Sequence, residues 1–114
     1  MIIKRILSLF GLSNSNTITC AEFGELTDKK QFKLIDVREV AEFKRYNIGA
    51  INLPLSTFKK QIKNKNYSHE DFIIVHCAHG SRSRMAQKIM EGLGFKNVYN
   101  LTGGIEAYRK QFGK

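Results

Sequence analysis

The run Phe72-Ile73-Ile74-Val75-His76 constrains the fold more than any other stretch of the chain. It is strand-like and nearly all apolar, the pattern of a strand covered on both faces. It stops at Cys77. A six-residue loop, Cys77 to Arg82, follows, and a helical pattern begins at Ser83-Arg84-Met85-Ala86. The rest of the chain alternates in the same way. Thr17-Ile18-Thr19 is a short strand, and Thr19 with Glu22 has capping-box spacing for a helix over about Ala21 to Lys29. Phe32 to Val37 is a strand, and Arg38 to Tyr46 a helix with Val40 and Phe43 inward. Ala50 to Leu53 is a strand closed by Pro54, and Ser56 can cap a helix whose apolar residues are Phe58 and Ile62. After the loop, Arg84 to Leu93 is a helix with Met85, Ile89 and Leu93 as its inner stripe, stopped by Gly94. Asn97 to Leu101 is the last strand. The turn Thr102-Gly103-Gly104 leads into a final helix, Ile105 to Phe112, with Ile105, Tyr108 and Phe112 inward. Strands and helices alternating at crossover spacings predict an α/β domain, a mostly parallel sheet with helices on both faces. Ligands bind such sheets outside the carboxyl ends of the strands, and Cys77 directly follows one of those ends.

A thiol just ahead of a helix start meets unpaired backbone N–H groups that favour an anion. They would lower its pKa, and Arg82 would lower it further. A buried, inert cysteine at a strand end is the plainer alternative. The small, polar, glycine-containing loop favours the reactive reading. Cys20 has no His or Arg beside it and reads as a small, half-buried residue. His76 adjoins Cys77, so strand alternation turns the two side chains apart. His79 could tune the loop chemistry or simply face solvent. A Cys–His protease pair is disfavoured by that alternation. A metal site is disfavoured for want of further ligands, since only His69 remains among the histidines. No metal and no cofactor is expected.

The 114 residues suffice for one core, and a hydrophobic fraction of 42% excludes a disordered chain. Two distant cysteines are too few for a disulfide framework and suit a reduced, cytoplasmic protein. A net charge of +9 suits an anionic substrate, an acidic protein partner or a membrane surface. Nucleic acid is not expected as a partner, because the lysines lack interleaved aromatic residues. Lys59, Lys60, Lys63 and Lys65 form a charge run, either a solvated face or a docking patch for an acidic partner. Residues 1–16 stand apart from a domain over 17–114. Met1 to Leu12 is amphipathic, with Ile2, Ile3, Ile6, Leu7, Leu9 and Phe10 on one side. It is too short to span a membrane and lacks the cleavage site of a secretory signal. It could pack on its own domain, pair with a partner, or rest on a membrane surface. Gly11 to Asn16 is a polar linker.

Four segments together carry a family resemblance. Cys77-Ala78-His79-Gly80-Ser81-Arg82-Ser83 resembles the C-x-x-G-x-R-S loop of rhodanese sulfurtransferases. Asp36-Val37-Arg38, with Glu42-Phe43 after it, is similar to the family's D-V-R-x-x-x-E-[FY] segment. Gly49-Ala50-Ile51-Asn52-Leu53-Pro54 resembles its G-A-x-N-[IL]-P, and Leu101-Thr102-Gly103-Gly104-Ile105 its L-x-G-G-[IVM] ending. They occur in the family's order and cover about Thr17 to the C-terminus. Two departures stand out. Tyr46-Asn47-Ile48-Gly49 lacks the histidine common in G-H-I-x-G-A and is one residue shorter. Tyr108 replaces a frequent tryptophan.

The resemblance implies a single-domain rhodanese fold, a five-stranded parallel sheet, and two-step sulfur transfer. A Cys77 thiolate takes a sulfane sulfur from a small anionic donor such as thiosulfate. Cyanide, a small thiol or a protein thiol then removes it. On that reading Ala78, His79, Gly80, Ser81, Arg82 and Ser83 hold the donor and the persulfide. Gly80 allows the tight curl, Ser83 doubles as a helix cap, and Arg82 orients the donor or braces the loop. Asp36 and Arg38 are supporting groups that precede a helix in need of capping. Two rivals remain. Phosphatase or arsenate reductase members of the fold have a loop one residue longer than the four residues, Ala78 to Ser81, between Cys77 and Arg82. Non-catalytic binding modules usually lack the cysteine. A sulfur carrier that docks on another protein combines binding and catalysis.

Overall fold

The computed structural model describes residues 16–26 and 31–113. Residues 1–15 lie outside the described residues, and with them the amphipathic segment and most of the linker.

Five strands form one parallel sheet in the order β1-β5-β4-β2-β3. They are β1 (Thr17–Ile18), β2 (Lys33–Asp36), β3 (Ile51–Asn52), β4 (Phe72–His76) and β5 (Asn97–Leu101). All four pairings are parallel, with β4 between β2 and β5. Every residue of β4 is buried, because helices cover both of its faces. Ile73 and Val75 point to one side. There they pack with Ile35, Val37 and Val98 against Phe58 and Ile62 of α3 (Phe58–Lys63) and Ala86 and Met90 of α4 (Ser81–Gly92). Phe72 and Ile74 point to the other side. They pack with Ile18 and Leu101 against Phe23 of α1 (Cys20–Gly24) and, at its edge, Tyr108 of α5 (Gly104–Phe112).

The remaining helix, α2 (Val40–Arg45), follows β2 and has no buried residue. Val40 is therefore exposed rather than inward, and Phe43 is only half-buried. The inward side of this six-residue helix is Glu42 and Phe43, both half-buried. The inner stripe of α4 is also rotated from the expected one. Ser83, Ala86, Gln87 and Met90 are buried, whereas Met85 is exposed and Ile89 and Leu93 are half-buried. The buried Gln87 donates to the carbonyls of Asn16 and Val98, so a polar side chain occupies a core position by satisfying backbone groups. Phe112 is 40% exposed near the end of α5, with its ring against Tyr108. Ser56 caps nothing. It lies in a 3-10 turn, Leu55–Thr57, and its hydroxyl donates to Glu39. The Thr19–Glu22 capping box and the left-handed Gly94 after α4 are present as expected.

Candidate active site

The parallel register carries β4 to the carboxyl edge between β2 and β5, and Cys77 is the next residue. Gly80 adopts φ +115° and caps α4. This left-handed turn, open to glycine at little steric cost, starts the helix at Ser81, earlier than the sequence suggested. Ser81 and Arg82 therefore belong to the helix. Ser83 is its third residue, buried, and does not cap it. No side chain caps α4, which leaves its first amides free to serve the sulfur. The Gly80 N–H donates to Cys77 Sγ at 3.0 Å, and the Ser83 hydroxyl stands 3.4 Å away.

The loop carbonyls are turned away from the thiol by α5. Ile105 N–H donates to Cys77 O at 2.9 Å and Glu106 N–H to Ala78 O at 3.1 Å. Gly104 makes this approach feasible. Its φ is +61°, and a Cβ there would lie 2.5 Å from Cys77 O and 2.6 Å from Ala78 O. With the carbonyls held by α5, N–H groups are left on the sulfur side. The thiol is buried, which works against its charged form. The Ser83 hydroxyl and the amides of Ser83, Gly80 and His79 outweigh this, and the Cys77 pKa falls below the ordinary thiol value.

Sequence alone leaves Arg82 either orienting the donor or bracing the loop. Its guanidinium forms a two-pronged pair with Glu42 of α2, at 2.7 and 3.0 Å. That bond holds the Glu42 carboxyl at about 2. Arg82 is within electrostatic reach of the thiol, but the donors that lower the thiol pKa are Ser83 and the loop amides. Its geometry is that of a brace between α4 and α2.

Asp36 and Arg38 pair at the end of β2, both buried. Arg38 donates its backbone N–H and Nε to Asp36 and a terminal nitrogen to both Asp36 and Tyr46 O. Asn52 Nδ2 donates to the carbonyls of both residues. They tie β2 to β3 and to the turn after α2. Neither caps α2, where Glu42 instead accepts the Glu39 N–H. His76 is fully buried, and neither ring nitrogen has a hydrogen-bond partner. Burial pushes its pKa down. Its side chain falls on the opposite sheet face from Cys77, as alternation requires. His79 and Ser81 are exposed, and Ala78 is half-buried.

A cavity of about 190 Å³ opens beside Ala78, walled by Arg38, Arg45, Tyr46 and Arg109. Larger hollows of about 260 and 350 Å³ lie elsewhere, at residues such as Tyr67 with Phe95 and Leu34 with Ile51, none of them in the thiol loop.

Sequence reasoning does not single out Glu42, Asn100 or Gly104 as site residues. Glu42 and Gly104 lie inside the family signatures, but nothing local gives them a role. Asn100 is a buried amide on β5. Its one sequence signal is a polar residue at the carboxyl end of a core strand. Ser83 donates to its Oδ1 at 2.6 Å.

The chain belongs to the Rhodanese-like domain family, whose sequence pattern matches residues 19–111. Among curated relatives it is 32% identical over 109 residues to the tRNA uridine(34) hydroxylase of Buchnera aphidicola, covering 90% of this chain and 35% of that protein. It thus spans about a third of that relative's length. It is 33% identical over 92 residues to the thiosulfate sulfurtransferase GlpE of Coxiella burnetii, covering 81% of this chain and 85% of that one. Among solved structures, a rhodanese-related protein from Thermoplasma volcanium superposes with a TM-score of 0.73 at 30% identity, over 83% of this chain and 91% of that one. Family members with these names include sulfurtransferases and proteins of other activity. Among the described residues no helix is long and apolar enough to cross a membrane.

Proposed function

We propose that the domain over residues 17–114 is a sulfurtransferase that carries sulfane sulfur on Cys77. The observation that carries this reading is the donor set on one sulfur, the Gly80 amide at 3.0 Å and the Ser83 hydroxyl at 3.4 Å, with the Cys77 and Ala78 carbonyls taken up by α5. In the first step the Cys77 thiolate attacks the outer sulfur of thiosulfate. A bond forms between the two sulfurs, the bond to the central sulfur breaks, and sulfite leaves with the electron pair. The terminal sulfur of the persulfide keeps the negative charge, and the amides of His79, Gly80 and Ser83, which already serve the thiol, would hold it. In the second step an acceptor thiolate or cyanide attacks that terminal sulfur, and the electron pair returns to Cys77. The four-residue spacing between Cys77 and Arg82 favours sulfur over phosphate or arsenate chemistry. Two free cysteines fit a reducing compartment such as the cytoplasm.

Incubation with thiosulfate followed by intact-mass measurement should show one added sulfur in the wild type and none in Cys77→Ser. Unchanged wild-type mass with several sulfane donors would sink the reading.

A second reading, transfer to a docked protein acceptor, is favoured by the exposed Lys59, Lys60, Lys63 and Lys65 around α3. Replacing all four with Gln should slow transfer to an acidic protein acceptor and leave transfer to cyanide unchanged. Surface attachment through Met1 to Leu12 belongs with this reading. Liposome flotation of the full chain against a chain starting at Ser13 tests it, and equal flotation removes it.

A further inference from the structure

The Ser83 hydroxyl has one proton and three acceptors within reach. They are Asn100 Oδ1 at 2.6 Å, Gly80 O at 3.2 Å and Cys77 Sγ at 3.4 Å. One O–H donates one full hydrogen bond, so these contacts compete. The other end of the Asn100 amide decides its orientation. Nδ2 donates to Gly80 O at 3.0 Å, so Oδ1 must face Ser83, where it can only accept. The shortest contact therefore takes the larger share of the donation, and the sulfur, at the longest distance, receives the smallest. Ser83 and Asn100 are both buried, so water does not replace a bond that either gives up. If Ser83 is to donate fully to a free Cys77 thiolate, it must orphan Asn100 Oδ1. A persulfide makes no such demand, because Sγ is then bonded to a second sulfur and the charge sits on the terminal atom.

We propose that Asn100 is a positioning residue: by drawing the Ser83 proton it weakens the hydrogen bond to the free thiolate and so favours the sulfur-loaded form of Cys77. The inference rests on the sulfur-transfer reading above. The equilibrium concerned is thiolate plus thiosulfate against persulfide plus sulfite, with three negative charges on each side. Other charged and titratable groups about the thiol are the Arg82–Glu42 and Arg38–Asp36 pairs, His76 on β4, His79 in the loop and Glu106 at the start of α5. The variants below leave all of them in place.

Thiol ionisation is measured first, since it needs no sulfur transfer. In a Cys20→Ser background, the rate of Cys77 alkylation by iodoacetamide is followed against pH by intact mass. Asn100→Leu and Asn100→Ala both remove the nearest competing acceptor, leaving the neutral Gly80 carbonyl against the charged sulfur, and should lower the midpoint by about one pH unit. In a Ser83→Ala background the same substitutions should leave it unmoved. Loss of a mere brace on Gly80 would raise the midpoint instead. The second readout is loading at a fixed thiosulfate-to-sulfite ratio above the midpoint, where Asn100→Ala should lower the persulfide-to-thiolate ratio roughly ten-fold. A midpoint that stays or rises, or a shift that persists without Ser83, overturns the proposal. Should the larger Leu not fold at this site, the Ala variant decides the same question. A wild type that takes up no sulfur would defeat the sulfur-transfer reading and the loading claim. The alkylation profiles would still decide whether Asn100 draws the proton.

Discussion

Cys20 and Cys77 make a natural comparison. Both are free and buried, both follow a strand of the same sheet, and both stand at or near a helix start. Position alone would predict two activated thiols. Their surroundings point in opposite directions. At the start of α1 the Glu22 N–H is taken by the Thr19 side chain and the Thr19 N–H by Glu22, in a capping box. The Cys20 sulfur instead faces a carbonyl, Thr102 O at 3.9 Å, and burial pushes its pKa up. No side chain caps α4, and the amides left over, with Ser83, bring the Cys77 pKa down despite burial. A helix start activates a sulfur only where its N–H groups remain unclaimed.

The largest effect that would break this comparison is in sulfur loading itself. Cys20→Ser should load sulfur from thiosulfate as the wild type does, within about two-fold, whereas Cys77→Ser should load none. Sulfur retained on Cys77→Ser would reverse the ranking of the two thiols. Alkylation in the native protein sharpens the contrast. At neutral pH Cys77 should react at least about ten-fold faster than Cys20, read by peptide mass. Its rate should persist as pH falls below the ordinary thiol pKa, because a lowered pKa keeps the thiolate populated there.

Gly104 tests the backbone arrangement. Gly104→Ala puts a Cβ against two loop carbonyls in a left-handed conformation. It should lower stability by roughly 3 kcal/mol in urea unfolding, and raise the Cys77 alkylation midpoint as the carbonyls shift. Full stability in that variant would mean the close approach of α5 is dispensable.

The Glu42–Arg82 brace should matter least. Its side chains are 31% and 33% exposed, so solvent screening keeps its contribution below about 1 kcal/mol. The Glu42 pKa is depressed from 4.5 to about 2. The contribution is therefore present above pH 4.5 and is lost as pH falls through about 2. Glu42→Gln should be less stable than wild type at pH 7 and equal to it at the acid end, as urea midpoints across pH will show.

The strands were legible because their signal is local. Phe72 to His76 can hardly be anything but a covered strand, and its order among the other elements leaves few topologies. Helix faces were less legible. Met85 falls on the stripe expected inward yet is exposed, because Ala86 and Met90, one position on, are the residues that meet the core. A shift of one position rotates the stripe by about 100°. Val40 fails for another reason. Nothing in a six-residue amphipathic pattern says whether a partner surface exists, and α2 has none to bury it.

At the site the division is equally physical. The residues of the thiol loop, its glycine and its four-residue spacing are contiguous in the chain, so sequence alone determined them, along with the family they point to. Which dipoles meet the sulfur depends on segments far apart in sequence. Asn100 reaches Ser83 from β5, Glu42 takes Arg82 from α2, and Gly104 brings α5 onto the loop carbonyls. Only the tertiary structure decided that Arg82 braces rather than faces the thiol, and that one hydroxyl proton is shared among three acceptors. Hydrogen bonds are directional and short-ranged, so their partners are settled by packing and cannot be counted from composition.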